Sequence, residues 1–410
     1  MILKKFLLGM LTFLFTLSIL FTGCTSDTSD TSSSKDVKTQ LEDVISLYTG
    51  FSGSVLVANG DELLLNHGYG EADYDRKVDN SPQTVYGIAS ITSQFTATAI
   101  MMLQEKNQLN IQDTINKYIA DYPNGEKIKI YHLLTHTSGI PELYSLIESI
   151  EIGKRTYTSA EVIDLFKNKP INFDIGTKYE FSNSNYALLG YIIEKVSGLK
   201  YEDYIEQNIF NPLNMNSSGF LSNTKSTNNN SGITDRAIGY KKPASNTTEL
   251  EENTAEPSNT YEKSFEAEPT LTYAAGGIYS TVEDLYKWNK ALNTDKLITN
   301  KSLKEMFTPR MKNYGYGWFI DEHSAEDSHN HESETADEHS DNSNSASSTI
   351  ANDDNSKEAE VVHHGGYLPG YSSFIIRNNN KPYVVIILSN TEYEKRVMDM
   401  GYALLNVLEA

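Results

Sequence analysis

Apolar positions recur along this chain in two rhythms. Val37, Leu41, Ile45 and Leu47 or Tyr48 repeat at helical spacing and predict an amphipathic helix over 37–48. Two short apolar runs follow, over 53–58 and 62–68, on either side of Asn59-Gly60-Asp61. That is the pattern of a β-hairpin. Next comes Tyr86-Gly-Ile-Ala-Ser-Ile-Thr-Ser-Gln-Phe-Thr-Ala-Thr-Ala-Ile-Met-Met-Leu-Gln104, which starts like a strand and continues as a helix. Phe95, Ala99, Met102 and Leu103 give it a 3.6-residue period, and its mostly apolar character predicts burial. Turns and short helices are expected over 107–122. A segment over 128–134 leads into Thr135-His-Thr-Ser-Gly-Ile-Pro141, and helices are predicted over 159–168, 186–196 and 200–210. This helix-rich middle with few strand signals reads as an insertion between halves of a sheet domain.

The polar stretch 222–269 reads as a surface loop in which only 236–240 has an ordered pattern. Thr281 is placed to cap a helix with Glu283 and Asp284 in its first turn. Strands are predicted over 314–320, 361–377 and 382–388, and a closing helix over 392–408. Terminal helices on strands, with a helical middle, amount to an α/β sandwich carrying an all-α lobe.

Composition narrows the function classes. The 410 residues suffice for a large core, in one domain or two. The formal charge of −21 argues against a nucleic-acid partner, which needs basic stripes. Between Asp321 and Glu360 thirteen acidic residues face Lys357 alone, so −12 of that charge is local to one insertion. The same insertion holds His323, His329, His331 and His339. Interleaved with carboxylates they are weak candidates for Zn²⁺ or Cu²⁺, but their spacing matches no closed site, and a solvated disordered loop is the favoured reading. No metal site and no cofactor are assigned.

The N-terminus reads as an export signal. Lys4 and Lys5 precede an apolar run over 6–21, which ends at Leu20-Phe-Thr-Gly-Cys24. A small residue before cysteine there resembles a bacterial lipoprotein signal. Residues 1–23 would then be removed, Cys24 lipidated, and 24–36 left as a polar tether. The alternative is an uncleaved anchor, for which the apolar run is short. Cys24 is the sole cysteine, so no internal disulfide is available.

Three separated segments carry candidate chemistry. Ser90 lies at the first turn of the apolar helix, where unsatisfied N–H groups and the helix dipole favour negative charge. A serine oxygen there could attack a carbonyl while nearby N–H groups hold the oxyanion. An N-cap role for Ser90 or Thr92 is the ordinary alternative. The second segment is Tyr179-Glu-Phe-Ser-Asn-Ser-Asn-Tyr186. The third is His363-His-Gly-Gly-Tyr-Leu-Pro-Gly-Tyr-Ser-Ser373, whose glycines permit close approach to the backbone.

The order of these segments, with His132-Leu-Leu-Thr-His-Thr-Ser-Gly-Ile-Pro141, Ala274-Ala-Gly-Gly-Ile-Tyr-Ser-Thr281 and Tyr314-Gly-Tyr-Gly-Trp318, resembles the penicillin-binding protein and class C β-lactamase superfamily. The resemblance runs from about residue 37 to the C-terminus outside the two polar insertions. It implies an antiparallel sheet flanked by helices with an inserted all-α lobe. It also implies Ser90 as nucleophile, Asn183 as the asparagine of Tyr-x-Asn, and His364 with Gly366 as His-x-Gly. The oxyanion hole would use the backbone N–H groups of Ser90 and Tyr367.

Two positions depart from the family pattern. Ser93 stands where the family has lysine, and Phe181 where it has tyrosine. Both family residues are candidate general bases, and loss of a positioned base typically costs about 10²–10⁴-fold in rate. His364 is the first candidate to replace them, although the favoured reading is that it only lines the pocket and binds a substrate carboxylate or carbonyl. Lys178 and Tyr179 are near in sequence, and His136 reads as structural. The expectation is an extracytoplasmic, lipid-anchored serine hydrolase of reduced activity toward a β-lactam, D-alanyl peptide or ester. The rivals are a pseudoenzyme that binds a cell-wall fragment, antibiotic or partner, and a metal-sequestering protein acting through the histidine-rich insertion.

Overall fold

The computed structural model describes residues 36–146, 156–222, 235–241, 261–266, 268–321, 360–392 and 394–410. The signal segment, the tether, Cys24 and the four insertion histidines lie outside them.

The central sheet has six antiparallel strands. In chain order they are β1 (Gly53–Asn59), β2 (Glu62–Tyr69), β3 (Phe319–Asp321), β4 (Val361–Leu368), β5 (Tyr371–Asn378) and β6 (Tyr383–Ser389). Their spatial order is β3-β4-β5-β6-β1-β2. Chain ends far apart in sequence therefore meet in the middle, where Val55 pairs with Ile387 and Val57 with Val385. Successive side chains point to opposite faces of a strand. Val55, Val57, Phe374, Ile376, Val385 and Ile387 accordingly pack beneath the helices α1 (Val37–Ser46) and α9 (Glu394–Glu409). Leu56, Ala58, Val362, Ile375, Val384 and Ile386 face the helical lobe. Both faces are covered, so the strands read as nearly unbroken apolar runs.

The helical lobe includes α2 (Thr92–Glu105), α3 (Ile130–Leu134), α4 (Ser159–Asp164), α5 (Asn183–Ser197), α6 (Tyr201–Ile205) and α7 (Pro269–Gly276). Every residue of α2 from Thr92 to Leu103 is buried. Phe95 stacks on Trp288 with ring centroids 4.2 Å apart. The Trp288 indole N–H donates to Gln94 Oε1 at 3.0 Å. Trp288 belongs to α8 (Val282–Leu292), whose N-cap is Thr281 as its sequence predicts. The Thr281 hydroxyl accepts from Asp284 N–H at 3.1 Å.

Two strand expectations are corrected. The run 361–377 is a hairpin, because Gly370 adopts φ +81° and turns the chain between β4 and β5. Of 314–320 only the end is strand: Gly317 has φ +77°, so Tyr314 to Trp318 form a turn before β3. Helix α5 begins at Asn183 instead of 186, which puts Asn183 in its first turn. Tyr240–Lys241 pairs with Glu262–Lys263, adding order within the stretch read as loop.

Candidate active site

Ser90 sits in a 3₁₀ turn, Ala89–Ile91, immediately before α2. Ala89 has φ +49°, a left-handed conformation that is strained for a residue with a Cβ. The surroundings enforce it. On one side Ser373 donates its hydroxyl proton to Ile88 O at 2.8 Å, and Gly366 packs directly on the turn. A Cβ on Gly366 would lie 2.6 Å from Ile88 O and 3.0 Å from Ala89 Cβ. On the other side Ile88 N–H donates to Ile278 O at 3.0 Å. Ile278 N–H in turn donates to Thr92 Oγ1 at 3.3 Å. Ser90 is half-buried, and among the described residues its hydroxyl makes no hydrogen bond. The N-cap alternative fails for both residues: Ser90 holds no backbone N–H, and Thr92 receives its bond from Ile278 instead of its own helix.

The third segment runs along β4. His364 and Gly366 share the sheet face that looks toward the helical lobe, whereas His363 points the other way, toward Phe374 and Tyr402. Gly366 therefore touches the Ser90 turn and His364 lies two residues back along the same face. Tyr367, next in the strand, is 45% exposed. The His364 ring is buried. Its Nδ1 lies 2.6 Å from Gly365 O and its Nε2 3.2 Å from the Tyr314 hydroxyl. A carbonyl only accepts, so Nδ1 carries the proton and Nε2 accepts from Tyr314. Burial lowers the imidazole to about 4, which leaves it neutral near pH 7.

The second segment is held by His136, itself at φ +53° and wholly buried. Ser182 N–H donates to His136 Nδ1 at 3.1 Å. The His136 proton therefore sits on Nε2, which finds no hydrogen-bond partner among the described residues. Burial lowers this imidazole to about 3. Rings surround it: Phe181 at 4.5 Å, Tyr314 at 4.8 Å, Tyr186 at 5.1 Å and Tyr179 at 5.9 Å. The structural reading of His136 thus holds, but it joins the second segment to the third through Tyr314.

Asn183 is tied to Glu142. Its backbone N–H donates to Glu142 Oε2 at 2.5 Å and its side-chain amide to Glu142 Oε1 at 2.9 Å. Glu142, directly after Pro141, went unnoticed in the sequence reading. Its only signal is its place beside the His-Thr-Ser-Gly-Ile-Pro run. The carboxylate caps the α5 N-terminus, where the helix dipole favours negative charge.

The two departures leave no base in their places. Ser93 is buried, and its carbonyl lies against Gly317, where a Cβ would come within 2.8 Å of it. Phe181 presents only its ring to His136. Lys178 is exposed. Tyr179 turns its ring to His136 and Tyr314, and among the described residues its buried hydroxyl has no hydrogen bond. Burial, with Tyr186 nearby, holds that phenol well above its ordinary range. A cavity of about 470 Å³, lined by Glu194, Glu202, Phe220 and Tyr273 among others, opens elsewhere and includes neither Ser90, Asn183 nor His364. Among the described residues no group of three or more His, Cys, Asp or Glu is placed to hold a metal ion.

A sequence profile of the family described as "Beta-lactamase" matches residues 43–409. The chain belongs to the beta-lactamase family. Within this beta-lactamase family the Bacillus subtilis protein PbpX is 33% identical over 272 residues, which is 66% of this chain and 62% of PbpX. Penicillin-binding protein 4* of the same organism is 27% identical over 362 residues, 85% of this chain and 71% of that protein. Protein flp of Staphylococcus aureus (strain MRSA252) is 30% identical over 366 residues, and the match spans 61% of its length. The chain thus spans between three-fifths and three-quarters of these relatives. Among solved structures, D-amino acid amidase from Ochrobactrum anthropi with D-phenylalanine superposes at TM-score 0.70 and 22% identity, covering 91% of this chain and 99% of that one. The penicillin binding protein from Bacillus halodurans superposes at 0.66 and 23% identity, covering 91% and 98%. At such identity these two likenesses speak for the fold, an antiparallel sheet with helices and a helical lobe, as the sequence resemblance implies. The beta-lactamase-like serine hydrolase family is thereby the setting for the three motif segments.

Proposed function

We propose that this chain is an extracytoplasmic, lipid-anchored serine hydrolase whose Ser90 is acylated by a β-lactam, D-alanyl peptide or ester, at a rate reduced by the loss of both usual bases. The observation that carries this reading is the Ser90 hydroxyl itself. Among the described residues it has no hydrogen-bond partner, it sits on a strained turn at the head of a buried helix, and Gly366 packs against that turn. A backbone held strained by its surroundings is a common companion of an active site. The N–H groups at the head of α2, with those beside Gly366, are the expected cradle for an oxyanion, and Tyr367 N–H is the second donor by resemblance. His364, Gly366 and Asn183 complete the assignment. The anchor rests on the sequence ending in Cys24, and a peptidoglycan-like or other small acyl compound is the expected ligand.

A second reading has its own support. With the Asn183 amide bonded to Glu142, one of its two N–H donors is already occupied, and a ligand carbonyl has the other alone to bond. That favours a pseudoenzyme that binds without turnover. Incubation of the full chain with a labelled fluorophosphonate, and separately with a fluorescent penicillin, distinguishes the two. Covalent label that disappears in Ser90→Ala supports the hydrolase. Intact-mass spectra free of adduct after prolonged exposure favour the pseudoenzyme.

A further inference from the structure

The cavity of about 470 Å³ that lies apart from the motif segments has a built interior of its own. Its volume suits a small organic ligand. Glu194 of α5 and Glu202 of α6 bring carboxylates to it, and Tyr157, Phe220 and Pro269 supply apolar surface. Glu194 is held in place: its Oε2 accepts from the Ser159 hydroxyl at 2.6 Å and its Oε1 from Tyr201 N–H at 3.1 Å. Glu202 Oε1 accepts from the Ser222 hydroxyl at 3.4 Å. A carboxylate has about four lone-pair positions, so both groups retain capacity to accept.

A third polar group completes the lining. Tyr273 of α7 is 8% exposed, and its hydroxyl has no hydrogen-bond partner among the described residues. Burial, with the Glu194 and Glu202 charges beside it, holds this phenol well above its ordinary range. A buried hydroxyl without a partner is uncommon, because nothing compensates its desolvation. The backbone is strained at the same residue, with φ +36° and ψ −127° inside α7. Gly190 of α5 makes room for the ring: a Cβ there would lie 2.7 Å from Tyr273 Cε1. Burial also raises the Glu202 carboxyl, and the Glu194 carboxylate adds to the rise more than Lys200 offsets it. Lys195 and Lys200 line the cavity too, but both are exposed, and Lys195 lies over the Tyr191 ring at 4.7 Å. Negative charge therefore dominates where the cavity is least open to water.

We propose that this cavity binds an organic primary amine, its ammonium held by Glu194, Glu202 and the Tyr273 oxygen and its apolar body set against Phe220 and Tyr157. The site is separate from Ser90 and does not depend on Ser90 being a nucleophile. An ammonium brings three N–H donors, and these residues offer three accepting groups. It gives the Tyr273 oxygen a partner and offsets the repulsion between the carboxylates. A neutral ligand would leave that repulsion in place, and an anion would add to it. A metal ion fits less well. Among the described residues no group of three or more His, Cys, Asp or Glu gathers there, and the aromatic wall offers it no ligand.

The test is calorimetric titration of the full chain near neutral pH with three probes of one shape: 2-phenylethylamine, 2-phenylethanol and 3-phenylpropionate. The amine should bind at least about 10-fold more tightly than the alcohol, and the carboxylate should bind least. Glu202→Gln keeps the size of the side chain and should weaken the amine by about 10-fold while leaving the alcohol unchanged. Tyr273→Phe keeps the ring and should weaken the amine by about 3-fold or more. Ser90→Ala should bind the amine as wild type does.

Equal affinity for the amine and the alcohol would overturn recognition of the ammonium. So would wild-type affinity for the amine in both Glu202→Gln and Tyr273→Phe. No heat at about 10 mM amine overturns the site itself. Loss of binding in Ser90→Ala would place the amine among the motif segments and overturn the proposal equally. Should the variants fail to fold, a photoreactive azide of the amine tests the wild-type chain. Adducts on peptides spanning 194–202 or 269–277 support the site, and adducts confined to peptides with Ser90 or His364 refute it.

Discussion

Replacing Gly366 by alanine probes the contact that holds the Ser90 turn in place. The added methyl would lie 2.5 Å from Ser373 Oγ, 2.6 Å from Ile88 O and 3.0 Å from Ala89 Cβ. The serine hydroxyl can rotate away, but only by giving up its 2.8 Å bond to Ile88 O. The backbone oxygen cannot rotate, so the 3₁₀ turn must move. Overpacking of this kind costs about 1–3 kcal/mol. The lost hydrogen bond adds about 1 kcal/mol, for a total of about 2–4 kcal/mol. With a denaturant slope of about 3 kcal/mol per molar, the urea midpoint should fall by about 1 M. Labelling of Ser90 should suffer more, because an ångström of misplacement can cost about 10²-fold. Gly87→Ala is the control. Its new methyl would meet only Leu221, Leu368 and Tyr371 carbons at 3.5–3.8 Å, which is ordinary contact. That variant should match wild type or gain a few tenths of a kcal/mol. If urea titration gives the two variants the same midpoint, and both label as wild type does, the packing account of this turn is wrong.

Ser93→Lys combined with Phe181→Tyr should raise hydrolysis of nitrocefin or a p-nitrophenyl ester by about 10²-fold or more. No gain in steady-state assays would mean that the pocket has diverged beyond these two residues. Stability should fall on acidification from pH 6.5, because His136 and His364 stay neutral when folded, at about 3 and about 4, and protonate when unfolded near 6.5. Their contribution is fully present above about 6.5 and is lost as pH falls through the folded values. Each gives a slope of up to about 1.4 kcal/mol per pH unit, so His364→Gln should flatten the urea stability profile between pH 6 and 4.5 by about that amount. An unchanged slope would mean that His364 is already protonated or exposed. Thr281→Ala removes the hydroxyl that accepts from Asp284 N–H and should cost about 1 kcal/mol in thermal or chemical melts, with Ser90 labelling unaffected.

Much of this protein is settled within a few residues of any given position. The apolar runs over 53–58 and 382–388, the helical spacing over 92–104 and 186–196, and the cap at Thr281 all follow from neighbours along the chain. So does the placement of Ser90 at a helix entrance. Such features need only local sterics and the hydrophobic effect acting on one segment, and the segment's own residues supply both. The order of the motif segments likewise made the family and its antiparallel sheet legible before any contact was known.

What folding alone decided lies in partnerships across long stretches of chain. Gly370 and Gly317 each broke a run that looked like continuous strand, because a glycine's choice of φ depends on what its turn packs against. The Asn183 amide is claimed by Glu142, 41 residues away, and His364 Nε2 by Tyr314, 50 residues away. The same residues in the same order could have left both groups open to a ligand. Donors and acceptors find partners only after the core has fixed which surfaces face each other. The identity of the motifs was therefore written in the chain, but their hydrogen-bonding state was set by the packed whole.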